Sequence, residues 1–131
     1  MSRNKIGVIG AGQMGTGIAE VCAEAGFDVY LMDVDEQRLA AAVRSIEEDL
    51  ARLVEKGRFS SEFARSALAR IATGTDYEGF RDCHIAIEAA VEDEAVKKSI
   101  LKKLCEVLPP HSIITTNTST LPPSALVMVV K

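Results

Sequence analysis

The sequence predicts an α/β fold in which helices cover both faces of one parallel sheet. Short apolar runs, the first at residues 5–9 and the second at residues 28–32, alternate with longer amphipathic segments along the chain. Such alternation is typical of parallel strands joined by crossover helices. The connecting stretches are short, and the first apolar run leads directly into a cluster of glycines. We therefore expect an open, doubly wound sheet.

The first strand ends in a turn with the sequence G-A-G-Q-M-G at residues 10–15. Gly10 permits a tight turn, Gly12 leaves no Cβ in the way of a pyrophosphate, and Gly15 lets the following helix lie close to the strand. The N–H groups and the positive dipole end of that helix would then face the phosphates. Taken alone the turn is a weak signal, because a strand-to-helix turn with the same glycines can bind nothing.

The second strand strengthens this interpretation, because it ends in an acidic residue. Asp33 stands about twenty residues beyond the glycines, where a carboxylate would accept hydrogen bonds from the adenosine ribose. The unit predicts a Rossmann-type dinucleotide site. Asp33 and Asp35 would repel a ribose 2′-phosphate, so the sequence favours NAD over NADP. Arg38 lies close by on the following helix, and its positive charge would offset part of this repulsion. NADP is therefore disfavoured rather than excluded.

A helical hairpin is predicted after the second strand, where a simple nucleotide-binding fold has one crossover helix. The first helix starts near Asp35, and its apolar residues recur at steps of three and four. These residues are Leu39, Val43, Ile46, Leu50 and Leu53. The acidic cluster at residues 47–49 is expected on the solvated face. Residues 56–57 would end the helix, and Ser60 or Ser61 would cap the next one.

The second half of the chain continues the alternation. Residues 71–73, 84–88 and 112–116 predict strands, the second of them buried on both faces. A helix beginning near residue 93 would pack its inner face on the sheet and end at Pro109. Its expected inner residues are Val96, Ile100, Leu104 and Leu108. We expect the last of these strands to form an unpaired edge beside the apolar tail, and the chain to self-associate there.

Length and composition suit one ordinary globular domain. The chain has 131 residues and a formal net charge of −4, so it lacks the excess of basic residues that is typical of proteins that bind nucleic acid or an anionic membrane. It has no apolar run long enough to span a bilayer and no apolar leader. The three cysteines show no C-x-x-C spacing and are expected to be small buried hydrophobes. A reducing, cytoplasmic location is the simplest expectation.

Three segments resemble the NAD-binding domain of the 3-hydroxyacyl-CoA dehydrogenases, which include the bacterial 3-hydroxybutyryl-CoA enzymes. They are IGVIGAGQMGTGIA at residues 6–19, IAIEAAVEDEAVKK at residues 85–98 and TTNTSTLP at residues 115–122. Thr120 stands where the family pattern has a second serine. The helical hairpin is also a feature of the group. The second and third segments together are far more specific than the glycines.

The resemblance implies a set of contacts by position. Gly10, Gly12, Gln13, Met14 and Gly15 would hold the pyrophosphate. Asp33 would bind the adenosine ribose, Glu92 and Lys97 the nicotinamide half, Asn117 the nicotinamide ribose, and Ser119 the 3-oxygen of an acyl-CoA substrate. Simpler roles stay open: Glu92 as a first-turn acid, Lys97 as a surface lysine, and residues 117–119 as turn formers.

The implied chemistry is hydride transfer between C3 of an L-3-hydroxyacyl-CoA and the nicotinamide, with a histidine as base. In the family that histidine follows in a G-x-H-F-F-N-P segment, which this sequence lacks. His84 and His111 would stand at the amino ends of strands and cannot replace it. Residues 1–131 are thus expected to be one NAD-binding domain, incomplete at its C-terminal end, without the catalytic histidine, its glutamate or the helical C-terminal domain.

Two other functions remain open at this point. The chain could be a non-catalytic NAD-binding or interaction module, because a fold does not fix a function. It could also come from a related β-hydroxyacid dehydrogenase with a similar glycine turn. The T-N-T-S block argues mildly against a pure binding module, because coenzyme binding alone needs no group for a substrate oxygen.

Overall fold

The sheet has six strands in the order β3-β2-β1-β4-β5-β6. The computed structural model describes residues 4–89, 93–116 and 127–130. The strands are β1 (Lys5–Ile9), β2 (Asp28–Met32), β3 (Ile71–Gly74), β4 (Ile85–Glu88), β5 (Ile113–Thr116) and β6 (Val127–Val130). Strands β1 to β5 are parallel, as predicted. The strand order reverses between β1 and β4, which is where ligands bind in open α/β sheets.

Four α-helices connect the parallel strands, and two of them form the predicted hairpin. They are α1 (Gln13–Glu24), α2 (Glu36–Glu55), α3 (Ser61–Ala69) and α4 (Glu94–Val107), with a short 3₁₀ helix at Glu78–Phe80. Asp35 caps α2 and Ser60, rather than Ser61, caps α3 through their side-chain oxygens. Gly57 has a positive φ of 74° after α2, which explains why the helix ends there.

Two apolar layers enclose the sheet, since alternate strand residues face opposite sides. Val8 and Leu31 pack with α1, α2 and α3 on one face. Ile9, Phe80 and Leu104 belong to the layer beneath the 3₁₀ helix and α4 on the other. Phe80 is fully buried against Gly7, where an added Cβ would lie 2.1 Å from the Phe80 ring. The prediction of a doubly wound sheet is therefore confirmed.

Two predictions about packing were wrong, and a third, the solvated acidic cluster at residues 47–49, was right only in part. Val96 is 45 % exposed, because the first turn of α4 stands over a cleft at the carboxyl ends of β1 and β2. Asp49 is half-buried and hydrogen-bonded to Glu20 of α1, so the acidic cluster is not wholly solvated. Strand β5 is not an unpaired edge, because β6 pairs with it in antiparallel register. Ile100, Leu104 and Leu108 are buried as expected.

None of the helices in the described parts of the chain combines the length and apolar character needed to cross a membrane.

Candidate dinucleotide-binding site

The glycine turn joins the carboxyl end of β1 to α1, and two of its positions require glycine. Gly10 has a φ of 104°, in the left-handed region that favours glycine, and its N–H donates to the Met32 carbonyl of β2 at 2.7 Å. A Cβ on Gly15 would lie 1.7 Å from the Gly10 carbonyl oxygen. The predicted tight turn and close helix approach are therefore confirmed.

The N-terminus of α1 is built differently from those of the other helices. Its N-cap is Gly12, which offers no side-chain hydrogen bond, whereas α2, α3 and α4 are capped by Asp35, Ser60 and Asp93. The first turn of α1 also carries no acidic residue. A bound anion would complete such a terminus through its N–H groups and its dipole.

The space in front of this terminus fits a diphosphate. A Cβ built on Gly12 would meet no described atom within 4 Å, so this face of the turn is open. Gln13 and Met14 are exposed beside it in the first turn of α1. The open side of Gly12 contrasts with the filled side of Gly15. One glycine therefore serves packing, and the other leaves space for a ligand.

Asp33 lies at the end of β2 and ties the turn to this strand. It is 6 % exposed, and its two carboxylate oxygens accept hydrogen bonds at 2.9 Å from the N–H groups of Ala11 and Asp35. A carboxylate oxygen has two lone pairs, so each of these oxygens can accept a further hydrogen bond. Arg38 places its Nη1 3.7 Å from Asp33 Oδ2, and its side chain is 56 % exposed.

An apolar cleft that the sequence did not reveal opens beside Asp33. It has a volume of about 320 Å³ and lies between the loop after β2 and the first half of α4. Val34 and Val96, both exposed, line it together with Tyr77. A flat heteroaromatic ring next to Asp33 would fit this space. The one sequence signal was Val34, an apolar residue between two aspartates.

At the end of β4 the structure places a buried ion pair. Lys97 Nζ lies 3.0 Å from Glu88 Oε1, and the two side chains are 12 % and 1 % exposed. Sequence reasoning named Lys97 and missed Glu88, although an acid at the end of an apolar strand was a usable signal. The lysine is therefore not the surface residue that the simpler interpretation allowed.

The remaining predicted site residues, Glu92, Asn117 and Ser119, lie outside the described residues. Both histidines are exposed. His84 directly precedes β4 and His111 lies two residues before β5, at the amino ends of these strands. Their predicted location at the amino ends of strands is therefore confirmed.

A second cleft adjoins the turn, with a volume of about 500 Å³ between α1 and α2. Glu20 of α1 and Asp49 of α2 share a hydrogen bond there, so one of the two carboxyl groups holds a proton. Burial and the bonds to Asp49 and Glu24 raise the pKa of Glu20 to about 9. The pKa of Asp49 is lowered by the hydrogen bond from Glu20 and by Arg52.

Comparison with known proteins agrees with this geometry. Residues 5–131 match the family described as "3-hydroxyacyl-CoA dehydrogenase, NAD binding domain". The 3-hydroxybutyryl-CoA dehydrogenase of Bradyrhizobium diazoefficiens is 47 % identical over 89 % of this chain and 40 % of its own length. The 3-hydroxyadipyl-CoA dehydrogenase of Escherichia coli is 37 % identical, over 96 % of this chain and 26 % of its own length.

Solved structures show the same relationship. The crystal structure of 3-hydroxybutyryl-CoA dehydrogenase from Escherichia coli superposes with a TM-score of 0.86 at 38 % identity, covering 91 % of this chain and 25 % of that chain. The (S)-3-hydroxybutyryl-CoA dehydrogenase from Ralstonia eutropha gives 0.84 at 36 % identity, covering 90 % and 42 %. The chain thus spans less than half the length of these relatives.

Proposed function

The chain belongs to the family of NAD-binding domains of the 3-hydroxyacyl-CoA dehydrogenases, and we propose that it forms the coenzyme half of such an enzyme. The coenzyme of this family is NAD. One observation carries the proposal for this chain: α1 begins at an uncapped glycine with open space before it, directly beside the buried carboxylate of Asp33. A diphosphate and its attached ribose need this combination of groups.

The adenosine half of NAD is assigned to the β2 side of the turn. The pyrophosphate would lie on Gly10, Gly12, Gln13, Met14 and Gly15. Asp33 would accept from the ribose hydroxyls, and the adenine would enter the cleft between Val34 and Val96. Support comes from the closeness of the three parts: Gly10, Asp33 and Val96 line one cavity.

The nicotinamide half is assigned to the β4 and β5 side. Because we assign Asp33 and β2 to the adenosine side, the other nucleotide would extend across the switch point toward β4. Lys97 stands there with Glu88. Glu92, Asn117 and Ser119 follow the carboxyl ends of β4 and β5 in the sequence and are proposed for the nicotinamide half, its ribose and the substrate oxygen.

The reaction we propose for the whole enzyme is reversible oxidation of an L-3-hydroxyacyl-CoA in fatty-acid metabolism. NAD would accept a hydride from C3, and a base would take the proton of the hydroxyl group. His84 and His111 stand at the opposite edge of the sheet, so we assign the base to a segment that the longer relatives have in addition. We place the domain in the cytoplasm, where its three free cysteines would stay reduced.

Calorimetric titration of the 131-residue chain with NADH tests this proposal, with Gly12→Ala and Gly17→Ala as the matched pair. The φ of Gly12 is −76°, which alanine adopts, and no described atom opposes the new methyl group. We expect Gly12→Ala to fold but to lose at least about tenfold in affinity, because the methyl group would stand where the diphosphate lies. Gly17→Ala, one turn further along α1, should bind as the parent does.

Equal affinity of the parent and Gly12→Ala, or no binding by the parent, would contradict the proposed site. Titration with NADPH adds a test of Asp33. We expect weaker binding than for NADH, because the buried carboxylate would face the 2′-phosphate, even with Arg38 nearby. Tighter binding of NADPH would show that Asp33 has been given the wrong role. NADH oxidation with acetoacetyl-CoA should be negligible for this chain alone.

A further inference from the structure

Two buried carboxylates lie at the carboxyl edge of the described sheet, one on each side of the switch point. Asp33 ends the β2 side, and Glu88 is the last residue of β4. The proposed function, on which this inference rests, gives Asp33 to the adenosine half of the coenzyme. Glu88 therefore lies on the side that receives the nicotinamide half.

The Glu88–Lys97 ion pair differs from ordinary surface pairs. The two charged groups are 3.0 Å apart, and both side chains are almost wholly removed from solvent. By contrast, the pair between Lys5 and Asp82, at the amino end of β1, has side chains that are 24 % and 72 % exposed. A buried pair pays a desolvation cost that often cancels its attraction, so stability alone is a weak reason for it.

Charge at this place has a chemical consequence, because the oxidised nicotinamide ring carries a positive charge and the reduced ring is neutral. A buried charge nearby is poorly screened and therefore acts on one oxidation state of the coenzyme and hardly on the other. The residues that flank Glu88 in the sheet register, Ile9 and Thr116, are uncharged. Asp93, which caps α4, is exposed to solvent.

We propose that the Glu88–Lys97 ion pair sets the balance between NAD⁺ and NADH binding on this domain. Glu88 favours the cationic ring, and Lys97 offsets this preference. The pair is close to neutral as a unit, so the domain can bind the coenzyme before hydride transfer and release it afterwards. Loss of either partner would remove one of the two opposite charges and shift the preference toward one oxidation state of the coenzyme.

The test measures the dissociation constants of NAD⁺ and NADH for four chains at low ionic strength. They are the parent, Glu88→Gln, Lys97→Met and the double variant. Relative to the parent, Glu88→Gln should raise the ratio of the NAD⁺ to the NADH dissociation constant on the order of tenfold, and Lys97→Met should lower it by a similar factor. The double variant should return near the parental ratio, because it has neither charge.

Lys5→Met is the control, because it removes a paired lysine at the opposite edge of the sheet, and its ratio should stay parental. A purely structural role of the pair would change both dissociation constants by the same factor and leave the ratio unmoved, which would overturn the inference. If Glu88→Gln proves unable to fold, the comparison of Lys97→Met with the double variant carries the same test. Lys97→Met retains the charge of Glu88, whereas the double variant retains neither charge of the pair. Failure of the parent to bind either coenzyme would instead overturn the proposed function, and this inference with it.

Discussion

At the scale of single residues, glycines on one short turn have separate roles, and Gly15 shows the packing role. We predict that Gly15→Ala lowers the free energy of unfolding by about 3 kcal/mol or more. Extra atoms in a well-packed core typically cost about 1–3 kcal/mol when the neighbouring side chains can move aside. Here the new Cβ would lie 1.7 Å from the backbone oxygen of Gly10, which has little freedom to move. Urea unfolding followed by circular dichroism measures the change.

Gly17→Ala is the matched control for this prediction. Gly17 lies in the same helix and is exposed, and apart from the backbone of its own helix no described atom lies within 4 Å of an added Cβ. Alanine there should stabilise the domain by about 0.5–1 kcal/mol through its higher helix propensity. Equal stability of the two variants would mean that α1 does not rest on the turn as described.

Asp33 combines a structural and a binding task in one side chain. Its carboxylate holds the N–H of Ala11 in the turn and that of Asp35 before α2. Replacement of Asp33 would therefore disturb the turn and the proposed ribose contact together. This is why the preference of the parent chain for NADH or NADPH is a cleaner test of its role than a substitution.

At the scale of elements, α1 and α2 are joined by the hydrogen-bonded carboxyl pair of Glu20 and Asp49. Protonated Glu20 donates to the Asp49 carboxylate, which also pairs with Arg52. Because the pKa of Glu20 rises from 4.5 to about 9 in the folded chain, folding is favoured by its proton. This contribution is complete below pH 4.5 and is lost progressively as the pH rises to about 9.

We therefore predict that the melting temperature of the domain is lower at pH 9 than at pH 6, and that Glu20→Gln reduces this difference. Glutamine cannot ionise and can still donate to Asp49. Differential scanning calorimetry at the two pH values measures the effect. Glu47→Gln, an exposed acid on α2, is the control and should keep the parental difference. An undiminished pH effect in Glu20→Gln would exclude the shared proton as its cause.

At the scale of the whole molecule, the sequence correctly predicted the features that are determined by residues close to one another in the chain. Alternating apolar runs, caps such as Ser60 and the glycine turn each act within a few residues, so they indicate the elements and the hairpin. The direction of the first five strands follows from the connections between them. The position of Asp33 could be predicted as well. It directly follows a short strand that was expected to run parallel to the first strand, so it lies at the same sheet edge as the glycine turn.

The features that the sequence did not predict depend on contacts between elements that are distant in sequence. The pairing of Glu20 with Asp49 and of Glu88 with Lys97 arises from the packing of one element on another. The exposure of Val96 depends on where α4 lies relative to the sheet edge, and apolar periodicity does not contain that information. Strand β6 was missed because an antiparallel return depends on which edge of the sheet is free.

The pairing of β6 changes the expected route of self-association. In the described parts of the chain β6 is an edge strand, and its second side is available for pairing. We predict a concentration-dependent dimer that forms through β6, measurable by light scattering over a dilution series. Successive N–H groups of a strand point to opposite sides, so Met128→Pro and Val129→Pro remove N–H groups on different sides. One variant should be a folded monomer, and the other should weaken the β5–β6 pairing. A parent chain that stays monomeric at every concentration would rule out β6 as the contact. A dimer that survives in both variants would rule it out as well.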